Sequence, residues 1–101
     1  MSQFGDQIRL LREQKGLLQR QVASQMDIDN PMLSKIERGD RNARRDQVTL
    51  LCDILEVSEE ELLSLWLADR LFEVVKNEKM ALKALTITID TVQQKIEESS
   101  K

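Results

Sequence analysis

The chain has 101 residues, of which 33% are charged and 3% aromatic, with three glycines, one proline and a formal net charge of −3. That length suits one small domain and an appendage, and with only Phe4, Trp66 and Phe72 as aromatics the core must be built from Leu, Ile, Val and Met. The lone Cys52 excludes an internal disulfide, no run approaches the ~20 apolar residues of a membrane span, and the first residues lack the basic and apolar regions of a signal peptide, so a cytoplasmic protein is expected.

Neither Gly nor Pro follows Gly39, which favours helix over strand. A first helix is predicted over Gln3–Lys15, with Ser2 as its cap, Phe4, Ile8 and Leu11 on one face, and Gly16 just past its end. A short second helix, Gln19–Met26, turns Val22, Ala23 and Met26 inward. Asp27-Ile28-Asp29 interrupts it. Asp29 then caps a third helix, with Pro31 in the first turn, where its missing N–H costs nothing, and with Leu33 and Ile36 inward. That helix runs to Arg38, followed by Gly39 and a polar loop over residues 40–45.

A fourth helix over Asp46–Leu55 carries Val48, Leu51, Cys52 and Leu55 as its apolar set. Ser58-Glu59-Glu60-Glu61 reads as a capping box opening a fifth helix to about Lys76. Its Leu62, Leu63, Leu65, Trp66, Leu67, Ala68, Leu71, Phe72, Val74 and Val75 cover most of its circumference, so it must be buried on more than one side. A last helix is predicted over Glu78–Glu97, with Asn77 as cap. Its Leu82, Leu85, Ile89, Val92 and Ile96 recur at alternating spacings of 3 and 4, a coiled-coil seam. Alternation of Leu85, Ile87 and Ile89 with Thr86 and Thr88 also suits a strand; helix is preferred because no turn residue separates this stretch from its flanks.

Charge is unevenly distributed. Residues 1–58 hold nine Lys/Arg against nine Asp/Glu, and residues 59–101 six against nine. Within residues 35–45, Lys35, Arg38, Arg41, Arg44 and Arg45 outnumber Glu37 and Asp40, a local excess of +3. Such a patch is either a solvated loop or a small footprint for the phosphates of a nucleic acid.

Residues 16–39 resemble the helix-turn-helix family of phage Cro and repressor proteins and their bacterial relatives. The matching elements are Gly16-Leu17, Gln19, Val22-Ala23, Ile28, Leu33-Ser34 and Ile36-Glu37-Arg38-Gly39, and the likeness extends back to Leu11-Arg12 and forward to Leu55-Glu56-Val57-Ser58. The resemblance implies that the third helix enters the major groove while the second spans the backbone. Its exposed face would bring Asn30, Pro31, Met32, Ser34 and Lys35 to the bases: Asn30 suits adenine, Lys35 guanine, and Pro31 and Met32 a thymine methyl. Gln19, Arg20, Arg38 and Arg41 would meet phosphates, followed by Arg44 and Arg45, whose loop is about one residue off the common family spacing. Arg12 and Glu37 would form a partly buried ion pair tying the first helix to the end of the third; two solvated charges are the alternative. Pro31 departs from the polar residue usual at its position, and Leu18 from the usual Ser, Thr or Asn cap of the second helix.

The expected architecture is all-α: a five-helix lambda-repressor-like DNA-binding domain with an extra C-terminal dimerisation helix. Its parts would be a DNA-binding domain over residues 1–58 and a helical dimerisation region over 59–101, with helices at about 59–76 and 78–97. Leu65, Trp66, Phe72, Leu82, Leu85, Ile89, Val92 and Ile96 would form the dimer interface, because burying each such side chain contributes about 1.5–3 kcal/mol; a last helix folded back on its own domain would instead leave a monomer. The expected function is a homodimeric, sequence-specific regulator, a repressor or controller protein, binding a palindromic double-stranded operator. Similarity to the controller proteins found beside restriction–modification genes and mobile elements rests on the Asp-Ile-Asp and Leu-Ser-Lys-Ile-Glu-Arg-Gly stretches and the C-terminal helical pair. An antitoxin that also binds a toxin, and an interaction module that has lost DNA binding, are the alternatives. With no His or Tyr, no metal-ligand spacing and no phosphate loop, neither an enzyme nor a metal or cofactor is expected.

Overall fold

The computed structural model describes residues 2–100. Among them are six helices and no strand: α1 (Gln3–Gln14), α2 (Gln19–Gln25), α3 (Asn30–Arg38), α4 (Arg45–Leu55), α5 (Glu59–Val75) and α6 (Ala81–Ser99). None is long and apolar enough to cross a membrane. The chain divides into two compact units, one up to Arg70 and one from Leu71 onward.

The helices of the first unit begin where polar groups take up their free amides. Ser2 Oγ accepts from the Gly5 amide at 2.7 Å, and Asp29 Oδ1 from the Met32 amide at 2.8 Å. Helices α2 and α4, whose cap positions are Leu18 and Arg44, have no such oxygen there, and a glutamine three residues on takes part instead. Gln21 Oε1 accepts from the Leu18 amide at 2.7 Å and Gln47 Oε1 from the Arg44 amide at 2.8 Å, which is the return half of a capping box. Gly39 ends α3 with φ 81°, a left-handed conformation that glycine adopts without a Cβ clash.

Phe4, Ile8, Val22, Leu33, Ile36, Val48, Leu51 and Leu55 form the core with Leu62, which has no exposed surface. Cys52 lies in this core; burial, with the carboxylates of Glu59, Asp53 and Glu61 adding to it, pushes its thiol pKa up. The α1 and α3 backbones pass so closely that a Cβ on Gly5 would sit 2.7 Å from the Ile36 carbonyl oxygen and nearer still to that of Glu37.

Leu62 of α5 is buried in this core, and the first unit takes in α5 as far as Arg70. Asp69 holds this part of α5 in place from the far end of the sequence. Its carboxylate accepts from Ser2 Oγ at 2.7 Å and from the Gln3 and Phe4 amides at 3.0 Å, so α5 caps the start of α1. Leu65 and Trp66 are half-buried and pack against this core.

In the second unit, α6 begins at Ala81 rather than Glu78, and Met80, not Asn77, stands at its cap. Turn hydrogen bonds from the Glu78 and Ala81 amides to the Val75 and Glu78 carbonyls occupy the stretch where the helix was expected to start. The segment that alternated like a strand is helical. The hydroxyls of Thr86, Thr88 and Thr91 donate to the carbonyls of Leu82, Ala84 and Ile87, so each polar group is satisfied within the helix. No α6 residue is buried.

Glu37 is a buried charge of the first unit and pairs with Arg12; the Arg12 and Glu37 side chains retain 11% and 4% of their accessible surface. Arg12 Nε and Nη2 donate to the two Glu37 carboxylate oxygens at 2.7 and 3.1 Å, and Nη1 donates to the Leu17 carbonyl at 2.8 Å. Gln19 Nε2 adds a third donor to Glu37 at 2.9 Å. Glu37→Ala would leave the guanidinium buried without its counter-charge, a loss of about 3 kcal/mol and a fall of roughly 12–24 °C in melting temperature for a domain of this size. A melt that coincides with the parent's would refute this assignment. Gly5→Ala is expected to lower the melting temperature as well, although alanine is the better helix former, because the carbonyls facing it are backbone and cannot move aside.

Candidate nucleic-acid interface

Helix α3 has two unlike sides. Leu33, Ile36 and Glu37 are buried against the core, whereas Asn30, Pro31 and Lys35 stand exposed on the opposite arc with Ser34 half-buried among them. The Asp29 cap and Pro31 in the first turn fix where this ridge begins, and Gly39 fixes where it ends. Met32 stands at the edge of this ridge, half-buried and packed against the core beside Ile36. Ser34 Oγ accepts from Arg38 Nη1 at 2.8 Å.

The turn leading into α3 is tight. Asp27 has φ 56°, a left-handed conformation that aspartate tolerates better than most side chains, and the Ile28 amide donates to the Ala23 carbonyl at 3.1 Å. Ala23 is buried and Ile28 half-buried where α2 and α3 meet.

The cations around the ridge fall into two sets. Arg38 pairs with Asp40 and Arg44 with Asp46, both at 3.1 Å. The hydrogen bond from Arg44 holds the Asp46 carboxyl below the usual carboxylate range, and the same bond raises the Arg44 guanidinium. Arg20, Lys35, Arg41 and Arg45 are exposed and form no ion pair among the described residues. Arg12 is committed to Glu37, and one N–H of the Gln19 amide goes to the same carboxylate.

Exposed ammonium and guanidinium groups beside a helix that presents an amide side chain suit a duplex: the charges meet phosphates and the helix face meets base edges. Residues outside the sequence-based assignment also shape the site. Arg9 borders the cleft between α1 and α3 and is paired with Glu13 at 2.7 Å, a hydrogen bond that raises its pKa. Gln21 and Gln47 secure the starts of α2 and α4, and their place three residues after each cap was a legible signal. Nothing in the sequence marked Gly5 or Asp69.

A family model described as a helix-turn-helix domain matches residues 3–65. Among solved structures, the crystal structure of a transcriptional regulator from Listeria innocua matches with a TM-score of 0.56 at 19% identity, covering 93% of this chain and 95% of that one. A search of the curated proteins finds no match. The family match spans α1 to α4 and the start of α5, the elements that build and brace the α3 ridge, and on that ground the chain belongs to the helix-turn-helix domain family, a class of DNA-binding regulators and not of enzymes.

Proposed function

We propose that the protein is a homodimeric, sequence-specific repressor that occupies a palindromic operator. The observation that carries the reading is the α3 ridge, with Asn30, Pro31 and Lys35 exposed while Leu33, Ile36 and Glu37 anchor its back. The similar Listeria innocua protein is a transcriptional regulator, which supports a regulatory role. In this reading Asn30 and Lys35 contact base edges, Pro31 packs on a thymine methyl, and Arg20, Arg41 and Arg45 contact phosphates, joined by Arg38 and Arg44 when a phosphate displaces Asp40 or Asp46.

A single ridge covers few base pairs, and two-fold dimers gain affinity by placing two ridges about 34 Å apart. The second unit supports such pairing. Phe72, Leu82, Ile89, Val92 and Ile96 are 60, 83, 57, 50 and 60% exposed, and Leu85 is half-buried. Side chains of this kind contribute about 1.5–3 kcal/mol each when buried, so a second copy that covers them offsets the cost of association.

Three measurements test the reading. Binding to duplex DNA should weaken steeply with salt, and a protein that binds no duplex at low ionic strength is an interaction module instead. On a selected operator, Asn30→Ala and Lys35→Ala should each cost about 1–3 kcal/mol and relax preference at one position, whereas Arg41→Ala should weaken all sequences alike and reduce the salt slope by about 1. In sedimentation equilibrium the parent should be a dimer and Ile89→Glu a folded monomer with weakened operator binding; a monomeric parent would overturn the dimer.

A further inference from the structure

The loop between α3 and α4 carries Arg41 and Arg44 and leads directly into Arg45. A loop that displays cations for phosphate binding gains most when it is ordered before the ligand arrives, since otherwise association includes the entropy of fixing it. This loop is tied at both ends. The Asp40 and Arg41 amides both donate to the Lys35 carbonyl, at 2.9 and 3.3 Å. At the other end Ala43 is buried, and its carbonyl accepts from the Trp66 indole Nε1–H at 2.8 Å. The next amide, that of Arg44, donates to Gln47 Oε1 at 2.8 Å. Only Asn42 lies between the tied residues.

Trp66 is therefore more than filler on α5. It is half-buried against the core, the Arg70 guanidinium lies 4.8 Å from its ring centroid, and its one polar atom is aimed at the loop backbone. The tie comes from a residue 23 positions away in the sequence, so the loop's geometry depends on the docking of α5. We infer that Trp66 is a positioning residue for DNA binding, whose indole N–H holds the Ala43 carbonyl so that Arg41, Arg44 and Arg45 stand pre-ordered for the phosphate backbone. This rests on the DNA-binding reading above and assigns that surface a residue that never touches the nucleic acid.

Trp66→Phe keeps an aromatic ring in place and removes the donor. Amide exchange at Ala43 and Arg44 should then accelerate by about tenfold, and affinity for a short mixed-sequence duplex at low ionic strength should fall by about 3- to 10-fold, the range of one net hydrogen bond. A double-mutant cycle separates positioning from general destabilisation: Arg44→Ala with Arg45→Ala should cost less affinity in the Trp66→Phe background than in the parent, because a loosened loop no longer presents those charges well. Additive losses would overturn the role. Because Trp66 is the only tryptophan, the parent's single indole N–H resonance gives a readout that needs no variant to fold. It should exchange slowly, and exchange as fast as free indole would refute the anchor alone. A parent with a protected indole but no affinity for the duplex would refute the DNA reading and leave the anchor standing as a purely structural contact.

Discussion

The helix-turn-helix part of this protein depends on a single buried carboxylate. Glu37 accepts from Arg12 on α1 and Gln19 on α2 while sitting on the helix that forms the ridge, so one group joins the three helices of the motif. Hydrophobic burial is non-directional and would tolerate α3 turning by some tens of degrees against its neighbours. A carboxylate held by a forked guanidinium tolerates much less, because both the donor directions and the buried charges penalise misalignment. Gly5 adds a steric constraint at the same crossing, where the α1 and α3 backbones meet without a side chain between them.

That arrangement decides which charges remain for a partner. The guanidinium of Arg12 is consumed in holding the fold, and those of Arg38 and Arg44 are held by neighbouring aspartates, leaving Arg20, Lys35, Arg41 and Arg45 as exposed cations without ion-pair partners among the described residues. A net charge of −3 is therefore compatible with a basic contact surface, because nine of the 18 Asp and Glu fall in residues 59–101 and two others, Asp40 and Asp46, sit beside arginines that a phosphate can recruit. The exposed pairs are worth little in stability and can exchange partners at small cost.

The two units follow different stability rules. The first has a closed core from Phe4 to Leu62 and its own caps, one of them supplied by Asp69. In the second, α6 has no buried residue, and its β-branched Thr, Ile and Val side chains are poor intrinsic helix formers. An apolar, weakly helix-forming segment gains most from covering its seam, which is the physical link between the exposed residues of α6 and the proposed dimer.

The helices, their order and most of the core were legible in the sequence, because apolar spacing, capping residues and the helix-ending Gly16 and Gly39 are local signals. The start of α6 was misplaced because Asn77 has the composition of a cap, whereas turn bonds through Glu78 and Ala81 delay the helix to Ala81. The pairing of Arg12 with Glu37 was legible only through the resemblance to the helix-turn-helix family, since nothing in the spacing of two charges 25 residues apart requires them to meet. Tertiary structure decided what spacing leaves open. Met32 packs half-buried at the edge of its ridge, Leu65 and Trp66 pack half-buried against the core of the first unit, Asp69 caps a helix at the other end of the chain, and the basic loop is tied to α5 through Ala43. Each of these depends on groups brought together from distant positions or on the azimuth of one residue about a helix axis. Periodicity along the chain carries the repeat of a helix, and only packing fixes which neighbour each side chain meets.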